Sequence, residues 1–350
     1  MSLNEDTASA ASEVNPRYAR QSVLDVVGAR GQQRLAASTV VIVGCGALGS
    51  MQAELAARAG VGRFIIVDRD VLELHNLQRQ LLFDEQDVRD RLPKAVAAAR
   101  RLRQINSEIV TEERVADVTP ANVVEFVSQA DLVLDGTDNF ETRFLLNDAA
   151  VQQGKPWVYG GVLGTDGTVM AVRPAAGPCL RCVFPTPPEA GDMPTCETQG
   201  VLNTAVAWVA GLQVTEALKI LVGEPAEDSR FHALDVWGGS LNSVRIRRKD
   251  DCPCCGLKQF EFLDAKRGSS STVFCGRNAV QVTPAEPTSP DYDALCARLT
   301  PLGTVTVNGL VLEFAVDSHR LIVFPDGRVL VMGTTKTAEA RSLVAKYIGA

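Results

Sequence analysis

The stretch 39-TVVIVGCGALGS-50 decides how this chain is read. An unbroken apolar run, Val40 to Val43, feeds a Gly-x-Gly-x-x-Gly turn at Gly44, Gly46 and Gly49. An unbroken run of this length suits a strand buried on both faces. Gly44 permits the tight turn, Gly46 lets backbone approach phosphate, and Gly49 lets the following helix pack on the strand. The start of that helix, at Ala47, favours an anion. Asp68 closes the next strand, 63-RFIIVD-68, about 20 residues on, where an acid reaches ribose hydroxyls. Taken alone, the pattern serves NAD, FAD or ATP, and a strand–turn–helix that binds nothing has the same outline.

Outward from this stretch the alternation continues. "ALGSMQAELAARAG" reads as a helix ending at Gly60, and "PKAVAAARRLRQIN" as one with Pro93 in its first turn. "ADLVLDGTDN" is a buried strand, and "ETRFLLNDAAVQQG" a helix stopped by Gly154. "PWVYGGVLG" begins a strand-rich part, and "TAVAWVAGLQVTEALKILVG" is a long apolar helix for a core or a subunit contact. The rhythm predicts an α/β fold with a doubly wound, largely parallel, Rossmann-like sheet over residues 17–263. Residues 264–272 read as a linker from their Gly and Ser content. Residues 273–350 read as a small α+β domain, with a hairpin turn at Pro325-Asp326-Gly327 and a closing helix.

The chain has 350 residues with a net charge of −7 and no basic block, which argues against a nucleic-acid binder. No apolar run is read as long enough for a membrane span. Residues 1–16 lack a basic and an apolar signal region and read as a disordered lead-in. The nine cysteines cluster, which suggests metal in a reducing cytoplasm and not a disulfide framework.

Four further segments carry chemistry. "VDRDVLELHNLQRQLLF" places Asn76, Gln78 and Arg79 after the ribose acid, and Lys94 opens a later helix. Two cations aimed at a nucleotide suit a triphosphate undergoing displacement, although a solvated loop has the same composition. "DLVLDGTDNF" sets Asp135, Asp138 and Asn139 at the ligand-binding end of a strand. A carboxylate there suits Mg²⁺ beside ATP phosphates, or either of the last two caps the next helix. Cys179-x-x-Cys182 and Cys252-x-x-Cys255 form two knuckles with the signature of a closed four-thiolate zinc site, with Cys254 spare; a redox dithiol is the rival for either pair alone. Cys196, in the polar loop "MPTCETQGV", is a nucleophile or an inert thiol. Cys275, Cys296 and the scattered His75, His232 and His319 have weaker claims.

Together "RYARQ", "VIVGCGALGS", "VDRDVLELHNLQRQ", "LPKAVAA", "DGTDNFETRFLLND", "PWVYGGVLG", "PCLRC", "TCETQGVL" and "CPCCG" resemble the ThiF/MoeB/HesA adenylyltransferases, relatives of the ubiquitin-activating enzymes. The resemblance runs from about Arg17 to Leu263, and the C-terminal part resembles that of longer ThiF-type proteins. It implies ATP-dependent adenylation of the C-terminal Gly-Gly carboxylate of a small ubiquitin-like sulfur carrier, ahead of thiocarboxylate formation. By motif position, Gly44, Gly46, Ala47 and Gly49 contact nucleotide, Asp68 the ribose, and Asn76, Gln78, Arg79 and Lys94 the phosphates. Asp138 binds Mg²⁺ with Asn139 beside it, and Arg20 reaches a neighbouring subunit's site, so a homodimer is implied. Cys196 matches a position that bonds covalently to the carrier in some members, with a cysteine-derived sulfur donor downstream. The thiamine thiazole pathway is favoured over molybdopterin or an activator shared by several carriers. An NAD-dependent oxidoreductase or a non-catalytic scaffold leaves Arg79, Lys94 and Asp138 unexplained.

Overall fold

Strand β1 (Thr39–Val43) lies inside the larger sheet because its side chains are buried on both faces. Val40 and Ile42 enter one core, Val41 and Val43 the other. Each such fully buried aliphatic side chain contributes about 1.5–3 kcal/mol. β1 pairs in parallel with β2 (Arg63–Val67) and with β4 (Leu132–Asp135). β2 continues to β3 (Val110–Arg114), and β4 to β5 (Trp157–Leu163), also in parallel. Beyond β5 the sheet turns antiparallel through β6 (Asp166–Val172), β7 (Arg230–Asp235) and β8 (Ser240–Arg245). The order β3-β2-β1-β4-β5-β6-β7-β8 reverses direction beside β1, which is where open α/β sheets bind ligands.

In this computed structural model the described residues are 15–174, 177–187, 199–225, 229–264, 273–274, 278–284 and 289–348. Residues 1–14, Cys196, Cys275 and residues 265–272 of the expected linker lie outside them. Pro16 differs from the expected lead-in: it opens a 3-10 turn, Pro16–Tyr18, with the Asn15 side chain accepting from the Arg17 N–H.

Helices α1 (Gly28–Ala37), α2 (Ala47–Ala59) and α3 (Lys94–Ile105) pack on the Val40/Ile42 face. Helices α4 (Val123–Ser128) and α5 (Phe140–Gln153) pack on the opposite face. Helix α6 (Asn203–Val222) returns to the first face, so the sheet is covered on both sides.

Helix α6 takes the core position read from its sequence, although its length and composition depart from the expectation that no apolar run suffices for a membrane span. It has 20 residues, an 18-residue window of which reaches a mean hydropathy of 1.5, so by length and composition alone it is long and apolar enough to cross a bilayer. Its position is that of a core helix: Val206, Val209 and Ala210 are buried against the sheet. Gln213, fully buried, donates from Nε2 to the Asp135 carbonyl at 2.9 Å, and Gln52 of α2 donates to the same oxygen at 2.8 Å. These two amides pin the end of β4, where the site begins.

A second, antiparallel sheet has the order β11-β12-β13-β14-β10-β9. Its strands are β9 (Val273–Phe274), β10 (Ala279–Val282), β11 (Thr304–Val307), β12 (Leu312–Val316), β13 (His319–Val323) and β14 (Val329–Met332). Helices α7 (Tyr292–Leu299) and α8 (Thr337–Tyr347) cover one of its faces. The β13–β14 hairpin turns at Phe324–Arg328, where Phe324 N–H donates to the Arg328 carbonyl and Gly327 takes a φ of +83°.

Candidate active site

The carboxyl ends of β1, β2 and β4 open onto one cavity of about 860 Å³. Gly44, Gly46, Ala47, Asp68, Arg79, Lys94, Asp138 and Asn139 all line it. The three glycines of the turn answer different constraints. Gly44 has a φ of +82°, and a Cβ there would lie 2.8 Å from the Gly136 backbone. A Cβ on Gly49 would lie 1.9 Å from the Gly44 carbonyl oxygen, so Gly49 serves packing and does not line the cavity. A Cβ on Gly46 would meet only Gln80 Nε2, at 3.7 Å. The protein itself has room for a side chain at Gly46; the bare backbone leaves space in front of the helix start.

Asp68 anchors the turn from the next strand. Its Oδ2 accepts from the Cys45 N–H at 2.6 Å and its Oδ1 from the Asp70 N–H at 2.7 Å. Burial pushes its carboxyl up from the ordinary carboxylate range, and the nearby Lys94 ammonium opposes that rise. Cys45 points into the core, where burial raises its thiol well above the ordinary range, as a filler residue would be. Lys94 is almost fully buried and donates from Nζ to Asp70 Oδ2 at 2.8 Å. Arg79 is half-buried and donates to the His75 carbonyl at 3.1 Å.

At the end of β4 the two readings of the Asp138-Asn139 pair divide between the residues. Asn139 Oδ1 accepts from the Thr142 N–H at 2.9 Å and caps α5. The Asp138 carboxylate, not needed for the cap, stays exposed on the cavity wall. Asp135 is fully buried and accepts from Thr137 N–H and Oγ1 and from Arg143 Nε, at 2.9, 2.7 and 3.2 Å. Arg143 also donates to the carbonyls of Thr137 and Gly160, at 2.7 and 3.0 Å, between the rings of Phe140 and Tyr159. This buried pair holds Arg143 in the lining of the site.

Other sequence candidates sit outside the cavity wall. Asn76 is buried and shapes its own turn, its Oδ1 accepting from the Glu73 N–H at 3.0 Å. Gln78 is exposed on that turn. Arg20 is exposed on the short helix Ala19–Ser22. Conversely, Arg69, Asp70, Gln80 and Asp117 line the cavity without having been singled out. Gln80 stands one position from Arg79, and its buried Oε1 has no hydrogen-bond partner among the described residues. A donor such as a nucleotide's amino or hydroxyl group would satisfy it.

On the far side of α5, Cys179, Cys182, Cys252 and Cys255 converge, all buried, with their sulfurs within 4.8 Å of one another. Cys179 and Cys252 stand 3.6 Å apart, Cys182 and Cys255 3.5 Å. A tetrahedron with metal–sulfur bonds of about 2.3 Å has edges of about 3.8 Å, so the set fits a small tetrahedral cation. Cys254 stays outside the set, taking a hydrogen bond from Asn147 Nδ2 at 3.2 Å. The same Asn147 accepts from the Leu180 N–H at 2.9 Å, which links α5 to the first knuckle.

A switch-point cleft with a glycine turn and a strand-end acid defines an α/β protein of the nucleotide-binding type. The ThiF family model matches residues 18–254, and the chain belongs to that family. It is 42% identical over 336 residues to the sulfur carrier protein ThiS adenylyltransferase of Bacillus subtilis, covering 95% of this chain and 99% of that protein. It is 40% identical over 269 residues to the sulfur carrier protein adenylyltransferase of Thermus thermophilus, covering 74% and 96%. Among solved structures it resembles Escherichia coli MccB with ATP, with a TM-score of 0.61, 23% identity, and 70% and 75% of the two chains covered. A likeness at that identity shows the fold.

Proposed function

We propose that this protein adenylates the C-terminal Gly-Gly carboxylate of a small ubiquitin-like sulfur-carrier protein at the expense of ATP. The observation that carries the reading is the cleft itself, where Arg79, Lys94 and Asp138 stand around the glycine turn. A hydride-transfer site has no use for that set. The names of the relatives from B. subtilis and T. thermophilus support the same reaction.

The chemistry asks for positioning and charge neutralisation. The carrier carboxylate is ionised at neutral pH, so no general base is required. Its oxygen attacks the α-phosphorus, the bond from that phosphorus to the bridging oxygen breaks, and pyrophosphate leaves with the electron pair. Gly46 and Ala47 offer backbone to the phosphates, Asp68 holds the ribose, and Arg79 and Lys94 balance charge on the departing pyrophosphate. Asp138 would hold Mg²⁺, which keeps several waters and neutralises phosphate charge when bound. Its exposed carboxylate, left unused by the helix cap, suits that role.

Zn²⁺ in the four-cysteine cluster would be structural, because four thiolates leave no open position. A homodimer in which Arg20 enters the partner's cleft fits its exposure and its place outside the lining of its own cavity. On its motif position alone, the Cys196 thiolate would bond to the carrier's acyl carbon as AMP leaves, and a cysteine-derived sulfur donor would supply the sulfur of the thiocarboxylate. The full-length match to a ThiS adenylyltransferase favours the thiazole pathway. The protein is assigned to the cytoplasm, with residues 17–263 as the adenylation domain and 273–350 as a separate small domain.

The test is carrier-dependent exchange of labelled pyrophosphate into ATP. Exchange with a Gly-Gly carrier, lost when its final glycine is removed, is the expected result. No exchange with any such carrier, together with tight NAD binding, would overturn the reading.

A further inference from the structure

The second sheet is apolar on both faces. Val280, Leu312, Phe314 and Leu321 pack under α7 and α8. Ala279, Val311, Ile322, Phe324 and Leu330 form another cluster with Val71, which follows the ribose acid's strand, and Val115 packs against it. The small domain therefore needs the first sheet's edge to bury its second face. Asn308 reinforces the contact by donating from Nδ2 to the carbonyls of Asp90 and Arg91, at 3.1 and 2.9 Å, just ahead of Lys94.

A buried polar chain crosses this apolar contact. Arg328 is 2% exposed, and its Nη1 donates to Gln281 Oε1 at 3.2 Å. Gln281, 3% exposed, donates from Nε2 to Asp117 Oδ2 at 2.9 Å. Asp117 in turn takes Arg69 Nη1 on both oxygens, at 3.0 and 3.1 Å. Arg69 and Asp117 are on the cleft wall, and Arg69 directly follows Asp68. Arg328 also stacks on Phe324, 4.5 Å from its ring centroid. Polar groups buried in an apolar contact cost stability unless every partner is present, so this chain has one low-energy arrangement.

We propose that Gln281 and Arg328 of the small domain are positioning residues for ATP binding, acting through Asp117 to set the Arg69 guanidinium beside the nucleoside end of the cleft. The small domain is then part of the nucleotide site. Gln281 withdraws one oxygen of Asp117 from rotation, so that Arg69 meets a fixed carboxylate. Without Gln281 the carboxylate turns, and Arg69 samples positions that neither match the ligand nor balance Asp68 and Asp70. The loss falls on nucleotide affinity and leaves the carrier's contacts alone.

The inference rests on reading the cleft as an ATP site, and the experiment separates the two. The full-length protein is assayed by carrier-dependent pyrophosphate exchange, with KM for ATP and for carrier measured separately. Wild-type exchange tests the site; the variants test the coupling. Gln281→Leu keeps the volume and removes the hydrogen bonds to Asp117, Arg328 and Thr283, the first two of them to charged groups. It is expected to raise KM for ATP about fivefold to tenfold, with KM for carrier and kcat within about twofold. Gln281→Glu, which sets a like charge against Asp117, is expected to raise it further and serves if the leucine variant does not fold. Val311→Ala loosens the same contact without touching the polar chain, and lowers the melting temperature with KM for ATP held within about twofold. An unchanged KM for ATP in the Gln281 variants overturns the proposal. So does an equal rise in Val311→Ala, which makes the contact a general support only.

Discussion

Lys94 and Asp70 are joined twice. The Lys94 Nζ donates to Asp70 Oδ2 at 2.8 Å, and the Lys94 backbone N–H donates to the Asp70 carbonyl at 2.9 Å. The ammonium is thereby held at the cleft with its side chain only 3% exposed. Asp138, by contrast, takes a long hydrogen bond from Asn139 Nδ2, at 3.4 Å, and is exposed.

That difference makes the two residues separable. Lys94→Ala and Asp138→Ala each remove a charge that the adenylation site uses, and both should cut pyrophosphate exchange by about a hundredfold or more. Lys94→Ala also takes from the Asp70 carboxylate its ammonium partner at 2.8 Å, with Arg69 Nε remaining at 3.9 Å, at a cost of about 1 kcal/mol. Asp138→Ala lies at the surface and should stay within about 0.5 kcal/mol of wild type. Exchange assays alongside urea unfolding check both, and full activity in either variant removes that residue from the site.

The cysteine cluster makes a prediction about composition. The purified protein should carry about one zinc per chain, as four thiolates in a tetrahedral set require. Cys179→Ser and Cys252→Ser should lose the metal and lower the melting temperature, since three buried sulfurs are left without their common partner. Cys254→Ala should retain it, because that sulfur bonds Asn147 and stays outside the set. Metal analysis of the three variants decides, and zinc lost equally from Cys254→Ala would redraw the ligand set.

Asp148, fully buried on α5, accepts from the Phe262 N–H at 3.0 Å and ties the segment after the second knuckle to that helix. Burial pushes its carboxyl up to about 6 from an ordinary 3.8. Below the lower value both folded and unfolded chains hold the proton. Between the two values only the unfolded chain has released it, so stability falls as pH rises through this window and the loss is complete above about 6. Asp148→Asn keeps an acceptor for Phe262 and cannot ionise. Its advantage over wild type should grow by about 2–3 kcal/mol between about pH 4 and about pH 8, read by urea unfolding at each pH. A pH-independent difference would mean that Asp148 titrates as an ordinary surface acid.

Much of the cleft was legible because its signals are local. The glycine turn, the strand-end acid and the Cys-x-x-Cys pairs each occupy a few consecutive residues, and each reports a backbone geometry or a coordination rule. Asp138 and Asn139 were ambiguous for a physical reason: a short polar side chain before a helix can cap it or face a ligand, and only coordinates show Asn139 accepting from Thr142. Arg69, Asp117, Gln281 and Arg328 were missed because their link spans two sheets and no spacing rule connects them. Helix α6 is legible as a core or subunit-contact helix from its apolar run, and its buried Gln213, bonded to the Asp135 carbonyl, sets it on the sheet.

The glycine turn offers the sharpest separation between fold and ligand. Gly49→Ala forces a methyl to within 1.9 Å of the Gly44 carbonyl oxygen, which cannot move without shifting β1 or α2. It should destabilise the protein by about 3 kcal/mol or more and lose activity as a consequence of misfolding. Gly46→Ala puts its methyl 3.7 Å from Gln80 Nε2, an ordinary contact, and Gly46 keeps a negative φ of −84°. That variant should melt within about 2 °C of wild type. Its methyl stands where phosphate oxygens would approach the start of α2, so ATP affinity should fall about tenfold or more. Calorimetry for ATP binding and thermal melts on the two variants give the comparison. A Gly46→Ala protein that binds ATP as wild type does would mean that the phosphates lie elsewhere in the cavity.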